Sequence, residues 1–336
     1  MTIKAGISGL GRIGRLALHA MIKDPAFEVV GINDLSKTDA VALLLKYDSV
    51  HGRLFQTVEK REDGLVLDGV FVKGLYSRDV SKLAWGELGA EIVIEASGKL
   101  NDAESASGHI TAGAKKVILT APGKNVDATF VLGVNEGDYD PDRHHIVSNA
   151  SCTTNCLAPM VKVLHEQFGI VRGYMNTIHA YTNDQNILDG THNDLRRARA
   201  GALSIIPTTT GAASSVALVL PELTGKLDGF ATRVPVPDAS MVDLTVELSR
   251  EVTVAEINAA MQAAAEGAMK GIIEYCTDPI VSVDVIGNLH SCVFDANLTM
   301  VLSGQNTLVK CVAWYDNERA YALRVVDLAR HMMSKR

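Results

Sequence analysis

The stretch with the clearest chemical potential is Ser148-Asn149-Ala150-Ser151-Cys152-Thr153-Thr154-Asn155-Cys156. It is small and polar, follows the extended run Ile146-Val147, and precedes Leu157, Met160, Val161, Leu164 and Phe168 at helical spacing. Ser151 suits an N-cap, which places Cys152 in the first turn, with Pro159 in the second. Free N–H groups and the positive end of the helix dipole there favour a thiolate. A free cysteine often serves as a small buried filler, but a Ser/Thr/Asn surround is a poor core. Cys152 therefore reads as a covalent nucleophile.

A second chemical signature stands at the N-terminus. Ile3 to Ser8 reads as a buried strand that runs into Gly9-Leu10-Gly11-Arg12-Ile13-Gly14 and then a helix through Leu16, Leu18 and Met21. In a strand–turn–helix setting this G-x-G-x-x-G pattern is a dinucleotide fingerprint. Gly9 allows the tight turn, Gly11 lets backbone approach a pyrophosphate, and Gly14 packs helix on strand. The helix N-terminus then faces the phosphates. Phe27 to Ile32 forms the next strand and ends at Asn33-Asp34, so Asp34 is placed for the adenosine ribose hydroxyls.

The elements around these two signatures define the architecture. Strands at Leu65–Val72 (in a hairpin-like region), Ile92–Glu95, Lys116–Leu119, Ala128 to Val134 and His145 to Val147 extend a doubly wound sheet, with small residues at Ser97-Gly98 and Thr120-Ala121-Pro122-Gly123. After the Cys152 helix come a strand from Val171 to His179 and a polar, basic loop from Ala180 to about Pro207. Thr208-Thr209-Thr210-Gly211 opens a helix from Ala212 to Leu220, a natural anion site. Gly229 to Val236, Val242 to Leu248, Val281 to Val285, Met300-Val301 and Leu308 to Trp314 suggest a largely antiparallel sheet. Helices are expected at Val254 to Ala268 and from about Asn317 to Met333. The fold class is α/β: a Rossmann-type dinucleotide-binding domain over residues 1–150, with helix 317–336 packing back on it, and an α+β catalytic domain over residues 151–316.

Composition narrows the partners. A length of 336 residues with 47% hydrophobic and 21% charged residues fits a globular α/β protein of two domains. A net charge of −7 argues against nucleic acid or an anionic membrane as the main partner. No run of about 18 apolar residues occurs, and the start lacks the pattern of a signal peptide. Cys152, Cys156, Cys276, Cys292 and Cys311 are odd in number and widely spread, which points to a reduced cytoplasm. No Cys/His spacing matches a closed zinc site, so no metal is expected.

Taken together, the motifs resemble the phosphorylating glyceraldehyde-3-phosphate dehydrogenases over the whole chain. Ser151-Cys152-Thr153-Thr154-Asn155-Cys156 is similar to that family's active-site signature. The likeness extends to Asn33-Asp34-Leu35, Lys46 to Gly52, His179 to Gln185, Asp194 to Arg199, Arg233-Val234-Pro235 and Trp314 to Glu318. The resemblance implies attack of Cys152 on an aldehyde, hydride transfer to NAD, and cleavage of the thioester by inorganic phosphate. It implies that His179 accepts the thiol proton and donates to the developing oxyanion, with the Cys152 N–H as a second donor. It also implies one anion pocket near Thr182 and Arg233 and another near Ser151, Thr153, Thr210 and Gly211, with Arg197 among the phosphate-binding residues. Arg12, Ile13, Asp34, Arg78, Thr120 and Asn317 correspond to cofactor-contacting positions. A homotetramer follows from the same resemblance.

Two departures from the family pattern stand out. Arg319-Ala320-Tyr321 follows Glu318 where Trp-Gly-Tyr is usual, and Gly190-Thr191 replaces a Leu-Pro pair. Small or hydroxyl residues at the second place occur in NADP-accepting relatives. Asp34, however, would repel a 2′-phosphate, and Leu35 offers it no partner. NAD is therefore expected as the main cofactor, with poorer use of NADP. The rival activity, oxidation of erythrose 4-phosphate, usually goes with loss of the Tyr-Thr-Asn retained as Tyr181-Thr182-Asn183. A scaffolding role leaves an intact cysteine–histidine set unexplained.

Overall fold

The structure is a computed structural model that describes residues 2–335. The chain divides into two units, Met1–Ser151 with Tyr321–Arg336, and Cys152–Ala320. Among the described residues no helix is long and apolar enough to cross a membrane.

In the first unit, β1 (Ile3–Ser8), α1 (Arg12–Lys23), β2 (Phe27–Asn33) and α2 (Thr38–Lys46) are followed by a small hairpin of β3 (Tyr47–Asp48) and β4 (Gly52–Arg53). Then come β5 (Val58–Arg61), β6 (Gly64–Leu67), β7 (Val70–Leu75), β8 (Ile92–Glu95), α3 (Ala103–Thr111), β9 (Lys116–Leu119), β10 (Ala128–Thr129) and β11 (Ile146–Ser148). The sheet order is β10-β11-β9-β8-β1-β2-β7-β6-β5. Strands from β10 to β7 run parallel, whereas β6 and β5 close one edge antiparallel. Strands β8 and β9 are buried at every position, as expected of strands covered on both faces. The chain order reverses about β1, so a crevice opens at the carboxyl ends of β1, β2 and β8.

The second unit starts with α4 (Cys152–Phe168), β12 (Ile170–Ala180), β13 (Ile206–Thr208), α5 (Ala212–Val219), β14 (Leu227–Val234) and β15 (Ser240–Leu248). It continues with α6 (Val254–Glu266), β16 (Ile273–Cys276), β17 (Cys292–Asp295), β18 (Met300–Val301) and β19 (Leu308–Tyr315), and α7 (Arg319–Ser334) follows. Its sheet runs β13-β14-β12-β15-β19-β17-β16, with β18 on β19. Most pairs are antiparallel; β12 with β14 and β16 with β17 are parallel. β15 alternates buried and half-buried residues throughout, so one face meets the core, where α4 packs on β15, β17 and β19. The fold class is a Rossmann-type domain plus an α+β domain with a largely antiparallel sheet, as the sequence predicts.

Several element boundaries differ from expectation. Leu65–Val72 is not one strand but parts of β6 and β7, joined at Asp68-Gly69, both at positive φ. Strand pairing after Ala128 stops at Thr129, because Asn135 accepts the Val131 N–H and donates to the Thr129 carbonyl, which bends the chain away. Ser282–Val285 is a 3₁₀ turn rather than a strand; the Asp284 carboxylate accepts the Val281 N–H and closes it. The last helix opens at Arg319, not Asn317, because the Asp316 carboxylate accepts the N–H groups of Glu318 and Arg319. Strands β13, β16 and β17 and helix α2 are additional to those read from the pattern.

Candidate active site

Helix α4 begins at Cys152 itself, half-buried, so the thiol sits at the positive end of the helix dipole. His179 is the penultimate residue of β12, 4% exposed. Its Nε2 lies 3.5 Å from the Cys152 Sγ. The pairing register of β12 on β14 sets His179 directly beside Arg233. His179 Nδ1 lies 2.7 Å from the Ala180 carbonyl oxygen and 2.6 Å from an Arg233 terminal nitrogen, which itself donates to that carbonyl at 2.9 Å. In the tautomer that carries its proton on Nδ1, Nε2 keeps a lone pair for the thiol.

Burial dominates the electrostatics of each group. It pushes the Cys152 thiol up to about 11, opposed by Arg233 and the Thr153 N–H. Burial, with the Arg233 charge adding to it, holds His179 down at about 3. A proton passed from the thiol to His179 would leave opposite charges 3.5 Å apart, whose attraction in a poorly solvated site is strong.

Tyr315, 1% exposed, ties α4 to β12. Its hydroxyl bridges Thr153 Oγ1 at 2.8 Å, on α4, and Thr177 Oγ1 at 2.9 Å, on β12. Its ring meets the His179 ring edge to face, with centroids 6.0 Å apart. Motif reading passed over this role: Tyr315 shows only as the neighbour of Trp314, and nothing in the spacing links residue 315 to 153. Cys156, fully buried, lies beside Cys292, and burial raises its thiol pKa well above the ordinary value.

Around this centre the expected anion-binding residues behave differently from one another. Arg233 keeps a buried Nε with no hydrogen-bond partner, a donor suited to an oxyanion. Arg197 is committed: its guanidinium reaches Asp184, Thr208 Oγ1 and the Thr209 carbonyl, and so braces the loop before β13. Thr210 Oγ1 accepts the Ala212 N–H at the start of α5, and Gly211 occupies the cap position with no side-chain cap. Thr182 donates its N–H to Gln185. Ser240 Oγ donates to the Asn317 amide oxygen at 2.6 Å and accepts the Ala180 N–H, which ties Asn317 to the end of β12.

The first unit carries a cleft of about 540 Å³ at its strand ends, lined among others by Gly9, Gly11, Asp34 and Arg78. Gly9 has φ +91°, and a Cβ on Gly14 would lie 1.9 Å from the Gly9 carbonyl oxygen. A Cβ on Gly11 would project into open space, which leaves the helix N-terminus accessible to a pyrophosphate. The Asp34 carboxylate accepts the N–H groups of Leu10 and Ser36 at 2.7 and 2.8 Å. Although burial opposes it, those bonds and the Ser36 side chain hold Asp34 below its ordinary value, so it presents a negative charge. This donor and acceptor set fits a dinucleotide with free ribose hydroxyls. Arg12 and Ile13 open α1 but are not among the lining residues: Arg12 pairs with Asp48. Thr120 binds the Glu95 carbonyl through both N–H and hydroxyl.

Comparison with known proteins agrees with this geometry. The family model described as "Glyceraldehyde 3-phosphate dehydrogenase, NAD binding domain" matches residues 3–103, and "Glyceraldehyde 3-phosphate dehydrogenase, C-terminal domain" matches residues 151–317. The glyceraldehyde-3-phosphate dehydrogenase of Geobacillus stearothermophilus is 58% identical over 335 residues, covering 100% of this chain and 99% of that protein. That of Streptomyces coelicolor is 56% identical over 330 residues, 98% of each chain. Glyceraldehyde-3-phosphate dehydrogenase 1 of Bacillus subtilis is 53% identical over 335 residues, 100% of this chain and 99% of that one. With two of that family's domain models matched over residues 3–103 and 151–317, and relatives more than half identical over nearly the whole chain, one conclusion follows: the chain belongs to the glyceraldehyde-3-phosphate dehydrogenase family.

Proposed function

We propose that the protein oxidises D-glyceraldehyde 3-phosphate to 1,3-bisphosphoglycerate, with NAD as hydride acceptor and inorganic phosphate as acyl acceptor, in cytoplasmic glycolysis or gluconeogenesis. The observation that carries this reading is the Cys152–His179 pair beside a forked cation, in a chain of this family. As Sγ attacks the aldehyde carbon, His179 Nε2 takes the thiol proton. The imidazolium and the Cys152 N–H then donate to the developing oxyanion, which closes to a hemithioacetal. NAD, when bound, supplies the hydride acceptor. His179 removes the hydroxyl proton as the carbon is oxidised to a thioester, and phosphate releases the acyl group from sulfur. Arg233 with Thr182 would hold one phosphate, and Thr210, Gly211, Ser151 and Thr153 the other; Arg197 would order the loop that bears them.

Asp34 favours NAD, because a fixed carboxylate repels the 2′-phosphate of NADP more than one hydroxyl at Thr191 could repay. A homotetramer is supported by the apolar side chains that the single chain leaves in solvent, Ile187 at 83%, Leu195 at 81% and Leu203 at 78% exposed. One assay tests the reaction: NADH formation from glyceraldehyde 3-phosphate with and without inorganic phosphate, set against erythrose 4-phosphate and against NADP. Oxidation indifferent to phosphate, or faster with erythrose 4-phosphate, would sink the proposal. Light scattering checks the tetramer.

A further inference from the structure

Behind the cofactor cleft of the first unit lies a buried polar chain that the reaction scheme does not use. Trp85 is fully buried over β1 and β2, and a Cβ at Gly6 would come within 2.6 Å of its ring, so the strand keeps a glycine to seat it. The indole N–H is only a donor, and it lies 3.0 Å from His109 Nδ1. That nitrogen must accept, which puts the His109 proton on Nε2, 2.9 Å from Glu95 Oε2. His109 is 0% and Glu95 3% exposed. The other carboxylate oxygen accepts the Ser97 N–H at 2.7 Å and also the Ser97 hydroxyl. Ser97 Oγ in turn accepts the Lys99 N–H at 3.2 Å, across Gly98 at φ +69°.

Glu95 thus holds two segments at once. Its side chain grips the turn after β8, where Ala96, Ser97, Lys99 and Leu100 line the cleft. Its backbone carbonyl holds the N–H and hydroxyl of Thr120, at the end of β9. Three donors on one buried carboxylate leave it satisfied without a cation. A group of this cost placed for packing alone would be better replaced by an apolar residue.

We propose that Trp85, His109 and Glu95 form a positioning unit for NAD binding, which fixes the cleft wall after β8. None of the three side chains lines the cleft; they act through Ser97. Locking a wall before the ligand arrives removes ordering cost from binding.

The test measures NAD affinity by calorimetry on Glu95→Gln, Trp85→Phe and Ser97→Ala, with melting temperature recorded on each. Glu95→Gln keeps the shape but removes the charge, Trp85→Phe keeps a ring but removes the N–H, and Ser97→Ala trims one hydroxyl. Glu95→Gln should weaken NAD about ten-fold, the order expected for loss of one charge-assisted hydrogen bond. Trp85→Phe and Ser97→Ala should each weaken it a few-fold, and Glu95→Gln with Ser97→Ala should be no worse than Glu95→Gln alone. At saturating NAD, kcat of Glu95→Gln and Trp85→Phe should return to within about two-fold, since only binding is disturbed. Unchanged NAD affinity in folded Glu95→Gln overturns the proposal, as do additive losses in the double variant. If Glu95→Gln does not fold, unchanged affinity in Ser97→Ala and Trp85→Phe overturns it alone.

Discussion

The two units prepare for charged ligands in different ways. In the first, the cleft is shaped by backbone: a turn at Gly9, an open amide edge at Gly11, and a carboxylate at Asp34 held by two N–H groups. In the second, the chemistry sits on side chains from three elements, Cys152 on α4, His179 on β12 and Arg233 on β14. A backbone site depends on the absence of side chains and tolerates little added volume. A side-chain site depends on ionisation and on the register that brings distant residues together. On the proposed mechanism the first recognises a shape, whereas the second changes protonation during its work.

The sharpest break in that contrast is loss of the nucleophile. Cys152→Ser should cut turnover by on the order of 10⁴-fold or more while NAD affinity of the first unit survives. Retained activity, or first alkylation of Cys156 or Cys292 by limiting iodoacetate, would show that the centre lies elsewhere. Next comes the proton acceptor. His179→Asn should slow hydride transfer by roughly 10²–10⁴-fold. Burial pushes the Cys152 thiol up to about 11, and a thiol raised that far is protonated at neutral pH unless a neighbour takes the proton. The variant's alkylation rate should therefore be low at neutral pH and rise only in the alkaline range, while the wild type, with His179 to take the proton, alkylates faster at neutral pH. Identical profiles would remove His179 from the pair.

Arg233→Ala should lower kcat/KM for the phosphorylated aldehyde by about one to two decades and affect unphosphorylated glyceraldehyde far less; equal losses would mark Arg233 as structural. On the backbone side, Gly14→Ala puts a methyl group 1.9 Å from the Gly9 carbonyl oxygen. That overpacking should cost about 1–3 kcal/mol of stability and weaken NAD, with thiol alkylation little changed. Unaltered melting and affinity would contradict the packing argument. The smallest effect is expected at the loop: Gly190→Leu with Thr191→Pro should raise the NAD over NADP preference by roughly two- to five-fold, on the order of one weak contact. A NADP kcat/KM equal to that for NAD in the wild-type chain would reverse the cofactor assignment.

Much of this was legible in local pattern because the physics there is local. A buried strand, three spaced glycines and a terminal carboxylate announce a Rossmann crevice within about 30 residues. A small polar run before a helical period announces Cys152 at a helix start. Among the missed elements, β16 and β17 (Ile273–Cys276 and Cys292–Asp295) each carry a polar or charged residue within four, and Ser282–Val285 has an apolar composition that a side-chain cap folds into a turn. Arg197 enters as a phosphate-binding residue through the family resemblance, but its hydrogen bonds to Asp184, Thr208 and Thr209 depend on a loop path that a local motif does not encode.

The sequence by itself determined the residue types that can do this chemistry, the order of the elements, and their membership in two kinds of sheet, since side-chain periodicity and turn residues act over a few positions. Only the tertiary structure decided which residues meet. The register of β12 on β14 places Arg233 beside His179, Tyr315 joins Thr153 to Thr177, and Trp85 and His109 reach Glu95 through the core. Such contacts span tens to more than a hundred residues and are set by packing and hydrogen-bond satisfaction across the whole unit, which no short window of sequence contains.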